Sequence, residues 1–145
     1  MSPVRLVARF ALPALLLSAA GAFAAPNFDE GLWEFEMKMA VPGVSVAIPP
    51  VRYSQCLTRT NMVPSQPEQQ GLPMKCEDRK PSVKGDTVSW TMRCTDGDTV
   101  MEGSGQVTYR GNRMHGSFKS TMRAKGRPGQ TVTNEISGRR IGPCK

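Results

Sequence analysis

The sequence has little of what catalysis and metal binding commonly require. It contains one histidine, His115, and no C-x-x-C pair. A catalytic triad needs a base oriented by a carboxylate, and a structural zinc site needs closely spaced Cys or His ligands. No glycine-rich loop precedes a helical segment, so phosphate cradling is not indicated either. We therefore expect no catalytic residue, no metal, no cofactor and no enzymatic activity.

Long hydrophobic runs are also scarce, since the chain has one, Phe10–Ala20. Arg5 and Arg9 precede this run, and Ala-Phe-Ala at 22–24 follows it. This order is typical of a Sec-type signal peptide, and the run is too short for a membrane span. A cut after Ala24 avoids placing proline directly behind the scissile bond. We expect residues 1–24 to be cleaved and the protein to be periplasmic or secreted, without a transmembrane segment.

Acidic residues are nearly missing from the C-terminal part. From Gly103 to Lys145 the chain has nine basic residues and one acid, Glu135. Such asymmetry predicts a face that meets an anionic surface, although exposed charges also simply keep a protein soluble. In an exported protein the candidate anions are envelope lipids, lipopolysaccharide or an acidic protein rather than nucleic acid. The predicted anion-binding face consists of Arg113, Lys119 and Arg123.

In most of the remaining sequence, apolar and polar residues alternate with a period of two. In the segment 31–40, Trp33, Phe35 and Met37 alternate with charged residues, which indicates a strand with one buried face. An irregular extended piece follows over 44–57, interrupted by two prolines that restrict it to a sheet edge. The polar segment Thr58–Met74 is predicted to be a loop.

Turn signals set the register of the second half. Asp-Gly at 96–97 and Gly-Asn at 111–112 are two-residue hairpin signals. Centring a hairpin on each keeps apolar side chains on one face of three successive strands. The predicted opposite pairs are Met92 with Met101, Trp90 with Gly103, Tyr109 with Met114 and Gly105 with Phe118.

Short strands with polar turns and no helical period predict an all-β fold. Residues 25–145 are expected to form a single domain, an antiparallel up-and-down meander of seven or eight strands. Inner-face glycines opposite bulky partners are typical of a sharply coiled sheet. We expect a closed or half-closed barrel, with a two-sheet sandwich as the alternative.

Four cysteines in an exported chain indicate two disulfides. A hairpin turning at 84–86 places Cys76 directly opposite Cys94, within the range that a disulfide accepts. The remaining pair is Cys56 with Cys144, which closes a long loop and ties the chain end to the early strands. The sequence therefore predicts the bonds Cys76–Cys94 and Cys56–Cys144.

Several of these features together resemble one family of exported bacterial proteins. They are Gly31-Leu-Trp-Glu34 after the signal peptide, Cys56-Leu-Thr58, Trp90 between Cys76 and Cys94, the segment Gly103–Tyr109, and the closing Gly138-Arg-Arg-Ile-Gly-Pro-Cys144. This pattern is similar to the domain of unknown function 3617 family and covers essentially the whole mature chain. The resemblance implies an exported, β-rich domain and carries no activity or site residue with it.

The predicted interior has two interpretations. It is a filled core, or it leaves a cavity for an apolar ligand, as barrel mouths do. Methionine and histidine near 37–39 and 114–115 also fit a Cu(I) site, but the inward parity of the methionines favours core filling. The possible cavity lining is Trp33, Phe35, Met37, Trp90, Met92, Met101, Tyr109 and Phe118.

Two non-enzymatic functions are consistent with these features. The first is a monomeric binding module that holds a small apolar or amphipathic ligand, with its basic face near the envelope. The alternative is a protein-interaction module, such as an inhibitor of an exported hydrolase, acting through the loop Thr58–Met74. A hydrolase ranks third because the chain provides no oriented base.

Overall fold

The computed structural model describes residues 25–65, 74–77 and 81–145. The predicted signal peptide and residues 66–73 of the predicted loop lie outside these ranges. Within them the chain forms strands and no helix. The strands are β1 Gly31–Ala40, β2 Val51–Leu57, β3 Lys75–Cys76, β4 Ser82–Lys84, β5 Thr87–Asp96, β6 Thr99–Arg110, β7 Arg113–Ala124 and β8 Gln130–Gly142.

The strands form one antiparallel sheet in the order β2-β1-β8-β7-β6-β5-β3, with β4 also paired to β5. This is the order of an up-and-down barrel opened between β2 and the pair β3 and β4. In the described part of the chain the result is a curled half-barrel, so the half-closed form of the predicted all-β meander is confirmed. β2 lies at the sheet edge, where the prolines preceding it are tolerated.

The register of β6 and β7 is the predicted one, with Tyr109 opposite Met114 and Gly105 opposite Phe118. The register of β5 and β6 differs from the prediction by two residues: Trp90 lies opposite Gly105 instead of Gly103, and Met92 lies opposite Gly103 instead of Met101. The prediction was wrong here because the loop is Gly-Asp at 97–98, with positive φ at the glycine alone. A turn with positive φ at its first position places glycine first in the loop.

Two further details differ from the sequence-based expectation. The extended piece predicted from residue 44 becomes a strand only at Val51, after the two prolines. The last strand, expected to end near Ser137, continues to Gly142 and pairs with β1 along most of its length. A register shift between Leu32 and Trp33 accommodates this long pairing. The pairing of β1 with β8 joins the N-terminal strands β1 and β2 to the rest of the sheet.

Both predicted disulfides are confirmed. Cys76 and Cys94 lie directly opposite each other on β3 and β5, with Cα atoms 4.0 Å apart. Cys56 on β2 bonds Cys144 beyond β8, with Cα atoms 5.5 Å apart and a sequence separation of 88 residues. This second bond connects the edge strand to the end of the chain.

The two ends of the half-barrel differ. We call the end with the β6–β7 turn the sealed end, because Phe28 bridges to Gly111 there and is 3% exposed. The hydroxyl of Tyr109 donates a hydrogen bond to the main-chain oxygen of Met62, which fastens segment 58–65 over the same end. The opposite end, with the β1–β2 loop and the β5–β6 and β7–β8 turns, is the open end.

Candidate functional site

Five of the eight predicted cavity-lining residues belong to a packed core. The ring centroids of Trp33 and Phe35 are 6.4 Å apart, and those of Trp33 and Tyr109 are 5.7 Å apart. All five side chains are at most 7% exposed and belong to one cluster of buried residues. The sealed half therefore has the filled-core form. The five residues are Trp33, Phe35, Met37, Tyr109 and Phe118.

The other three, Trp90, Met92 and Met101, are half-buried and lie towards the open end. Met39 and Met122 share this inner face and are 39% and 45% exposed. Thioethers are flexible and polarisable, so a surface rich in methionine adapts to ligands of different shape. The predicted lining thus divides into a sealed, packed half and an accessible, methionine-rich half.

The loop between β1 and β2, residues 41–50, borders this accessible half. It has no charged residue, and Val44, Val46 and Ile48 are 50%, 76% and 37% exposed. The register places it at the open end, since Ala40 pairs with Thr133 near the start of β8. Exposed apolar clusters of this kind on soluble proteins mark binding surfaces more often than scattered single residues do.

The exposed large apolar side chains are concentrated at this end. The described part of the chain has seven of them, and six lie at the open end. Three are on the inner face of strands and three are on the β1–β2 loop, whereas the seventh, Ile141, lies near the sealed end. The six are Met39, Val44, Val46, Ile48, Val51 and Met122.

Asn134 is the buried polar residue of this inner face, and sequence reasoning missed it. It is 6% exposed, and its buried Oδ1 atom has no hydrogen-bond partner in the part of the chain that the structure describes. Its neighbours across the sheet are Met39 on β1 and Phe118 on β7. The signal available in the sequence was its inward parity, two residues from Val132 and two from Ile136.

Two parallel rings form the floor beside Asn134. The centroids of Trp90 and Phe118 are 6.2 Å apart, with 6° between the ring planes. Between them β6 supplies Gly103 and Gly105, and a Cβ at either position would overlap a ring. The missing side chains make room for both rings, so the floor depends on glycine at these positions.

The packed half contains two phenols whose hydroxyl groups are buried. Burial raises the pKa of Tyr53 to about 12, and its hydroxyl has no hydrogen-bond partner among the described residues. Burial also raises the pKa of Tyr109, whose hydroxyl donates to Met62. Both phenols are therefore neutral at physiological pH. They lie in the packed half and do not border the open end.

A family model described as a protein of unknown function, DUF3617, matches residues 28–144. The chain belongs to the DUF3617 family. This match spans all eight strands and all four cysteines. No curated protein and no solved structure matches the chain. The family description carries no activity, so the function must be argued from the open end and the outer face.

The outer face of this DUF3617 protein carries several of its carboxylates in ion pairs. Arg139 binds Glu34 at 2.8 Å, and Arg52 binds Glu36 at 2.7 Å. The hydrogen bond from Arg52 holds the pKa of the Glu36 carboxyl below its usual range. His115 lies in a shallow outer groove of about 430 Å³ that Glu36 also borders. A carboxylate that arginine holds ionised, as at Glu36, is poorly suited to act as a general acid.

The predicted anion-binding residues all lie on the outer face of β7 but are far apart. At roughly 3.3 Å per residue, Arg113 and Arg123 are about 33 Å apart along the strand. Lys119 borders a polar groove of about 480 Å³. Arg123 binds Glu102 at 2.9 Å, so its charge is partly neutralised. The three residues share a face without forming one cluster.

The structure gives two further observations about the described residues of this DUF3617 chain. These residues contain no helix of the length and hydrophobicity needed to cross a membrane. They also contain no group of three His, Cys, Asp or Glu side chains placed to hold a metal ion. We consider the inner face at the open end as a binding site because most of the exposed large apolar side chains of the described residues lie at this end.

Proposed function

We propose that this DUF3617 protein is an exported, non-enzymatic binding module that holds an apolar or amphipathic small ligand at the open end of its half-barrel. The observation that carries the proposal is the distribution of exposed large apolar side chains: of the seven in the described residues, six lie at this end. Contiguous apolar surface is costly to leave in water, and covering it with a ligand recovers the hydrophobic free energy.

Export is supported by the first 24 residues and by the disulfides. The arginines, the short apolar run and Ala-Phe-Ala precede the matched family region, which begins at Phe28. Two disulfides persist in an oxidising compartment and are rare in the cytosol. The periplasm or the extracellular space is therefore the proposed location.

A non-enzymatic role is supported by the state of the candidate acid and base groups. Glu34 and Glu36 bind arginines, and Glu102 bridges Arg93 and Arg123. The open end, where the ligand is proposed to bind, presents mainly thioethers, rings and aliphatic side chains on its inner face. Such a surface binds a ligand by burying the ligand's apolar groups. Each buried methylene contributes about 0.8 kcal/mol to the binding free energy, and the loss of translational and rotational freedom on association opposes it.

The first experiment is native mass spectrometry of the protein purified from its own compartment. A retained small molecule supports the binding module. A retained protein supports instead the inhibitor-like interaction module that acts through the loop Thr58–Met74.

The second experiment uses a neutral fluorescent probe, N-phenyl-1-naphthylamine, titrated into the mature protein. We expect saturable binding that the Met39→Ser, Met122→Ser double variant weakens at least tenfold. Ile141→Ser is the matched control, since Ile141 is as exposed as Met122, at 45%, but lies near the sealed end. Equal loss in both variants, or no binding by the wild type, would contradict the proposal.

A further inference from the structure

We infer that the ligand of the open end is a neutral, single-chain amphiphile whose head group donates a hydrogen bond to Oδ1 of Asn134. The inference rests on the proposed function and names the chemical class of its ligand. The head group lies against the ring floor, and the tail runs towards the β1–β2 loop.

The unpartnered oxygen of Asn134 is the first observation. The residue is 6% exposed, and its Oδ1 accepts no hydrogen bond from any described residue. Its cross-strand neighbours, Met39 and Phe118, have no N–H or O–H group in their side chains. Buried polar atoms without a partner are rare and mark either an ordered water or a ligand group. A hydroxyl or an amide N–H satisfies this acceptor.

The surrounding inner face decides the charge of the head group. In β1, β5, β6, β7 and β8, the inner positions of the open half carry apolar or uncharged polar residues, with one exception, Asp96. Asp96 lies at the rim, six residues and roughly 20 Å along β5 from Trp90, which shares a cross-strand row with Asn134. An ionised head at Asn134 would lose its hydration without a counter-charge. A neutral hydroxyl head is therefore favoured over a carboxylate or a phosphate.

The depth of Asn134 decides the shape of the ligand. It lies four residues from the start of β8 at Gln130, roughly 13 Å along the strand. Between it and the rim, the inner face offers Met92, Met101 and Met122, which adapt to an apolar chain. A single chain of medium length spans from the head at Asn134 to the rim.

The test compares decan-1-ol with 1-methoxydecane, which keeps the chain and an oxygen acceptor but lacks the donor. Each compound displaces N-phenyl-1-naphthylamine from the wild-type mature protein. We expect decan-1-ol to bind about tenfold more tightly, since one net hydrogen bond to a buried acceptor is worth about 1.4 kcal/mol, or a factor of ten. Ionised decanoate should bind more weakly than decan-1-ol.

Asn134→Leu removes the acceptor at nearly constant volume and should abolish the preference for the alcohol. Gln106→Leu is the matched control, because it removes an exposed carboxamide from the outer face of β6 and should leave the preference intact. Wild-type selectivity is measured independently, so the test survives an Asn134 variant that does not fold.

The outcomes separate the two proposals. Equal wild-type affinity for the alcohol and the ether, or tighter binding of decanoate, overturns the inference while the binding module stands. Retained preference in Asn134→Leu also overturns it. Probe binding without displacement by any of the three compounds overturns the inference, whereas no binding of the probe to the wild type overturns the proposed function itself.

Discussion

Trp90 and Phe118 stack across a strand that contributes no side chain between them. Their ring planes differ by 6° and their centroids are 6.2 Å apart, although Trp90 is on β5 and Phe118 is on β7. A Cβ on Gly105 would overlap the indole, and one on Gly103 would meet the phenyl ring at 2.6 Å. The floor of the proposed site is thus a consequence of two glycines.

The first prediction concerns Gly105→Ala. The indole is rigid and must move, so we expect a loss of about 1–3 kcal/mol in the free energy of unfolding, the usual cost of overpacking. Urea denaturation followed by tryptophan fluorescence measures it. Gly142→Ala is the control, since nothing lies within 4 Å of its added Cβ. Its change should stay within about 0.5 kcal/mol, and equal losses in the two variants would contradict the dependence of the floor on glycine.

The second prediction concerns Trp33, which is fully buried and whose indole N–H donates to the main-chain oxygen of Asp29 at 3.0 Å. Trp33→Ala should destabilise the protein by about 3–5 kcal/mol, because it empties a large aromatic site. Calorimetry or urea denaturation checks the value. Ile141→Ala, at a side chain 45% exposed, should cost much less. A Trp33 loss below about 1 kcal/mol would show that the residue serves recognition instead of packing.

The third prediction ranks the disulfides. The pairs are 88 and 18 residues apart, and the loop-entropy relation gives about 4.5 and about 3 kcal/mol of stabilisation. The Cys56→Ala, Cys144→Ala variant should therefore be less stable than the Cys76→Ala, Cys94→Ala variant. Urea midpoints of both variants without reductant test the order. The reverse order would mean that local strand pairing at Cys94, and not chain entropy, dominates.

The fourth prediction compares two phenols. Tyr109→Phe deprives the Met62 oxygen of its donor and should cost about 1 kcal/mol, whereas Tyr53→Phe removes a hydroxyl that has no partner among the described residues and should cost less. Urea denaturation at pH 7 measures both. Equal destabilisation would contradict the hydrogen-bond assignment at the sealed end.

The same phenols predict alkaline behaviour. The pKa of Tyr53 is raised from 10.0 to about 12 by burial, so the folded state keeps a proton that the unfolded chain releases. This contribution to stability is complete below about pH 10 and is lost as the pH rises from 10 to 12. Tyr53→Phe should therefore lose less stability between pH 9 and pH 11 than the wild type, as measured by urea midpoints.

The fifth prediction concerns the basic outer face. We expect the wild type to co-sediment with anionic vesicles at low salt, and the Arg113→Ser, Lys119→Ser, Arg123→Ser variant to bind less. The charges are farther apart than the Debye length of about 8 Å at physiological salt, so they act separately and binding should fade as salt rises. Arg123→Ser alone should change little, because Arg123 already pairs with Glu102. Equal binding by wild type and triple variant would reduce the face to a solubilising surface.

Local patterns determined which face each strand buries. Alternation in β1 placed Trp33 and Phe35 inside, and the Gly-Asn turn at 111–112 set the register of β6 and β7. Both disulfides followed from the same strand parity and the even cysteine count. Strand parity and turn position depend on neighbouring residues, for which sequence distance and spatial distance agree.

The tertiary structure determined features of the site that the periodicity of the sequence does not predict. The Gly97 turn shifted one hairpin, because the residue that adopts positive φ depends on the backbone and not on the dipeptide alone. Whether inner side chains are packed or accessible depends on Phe28 and Met62, which cover one end from distant parts of the chain. Asn134 became a candidate for the same reason, since the burial of an oxygen that has no partner within the described ranges is a property of the assembled sheet. Strand parity predicts a face, but the distant segments that close over that face decide which part of it remains open to a ligand.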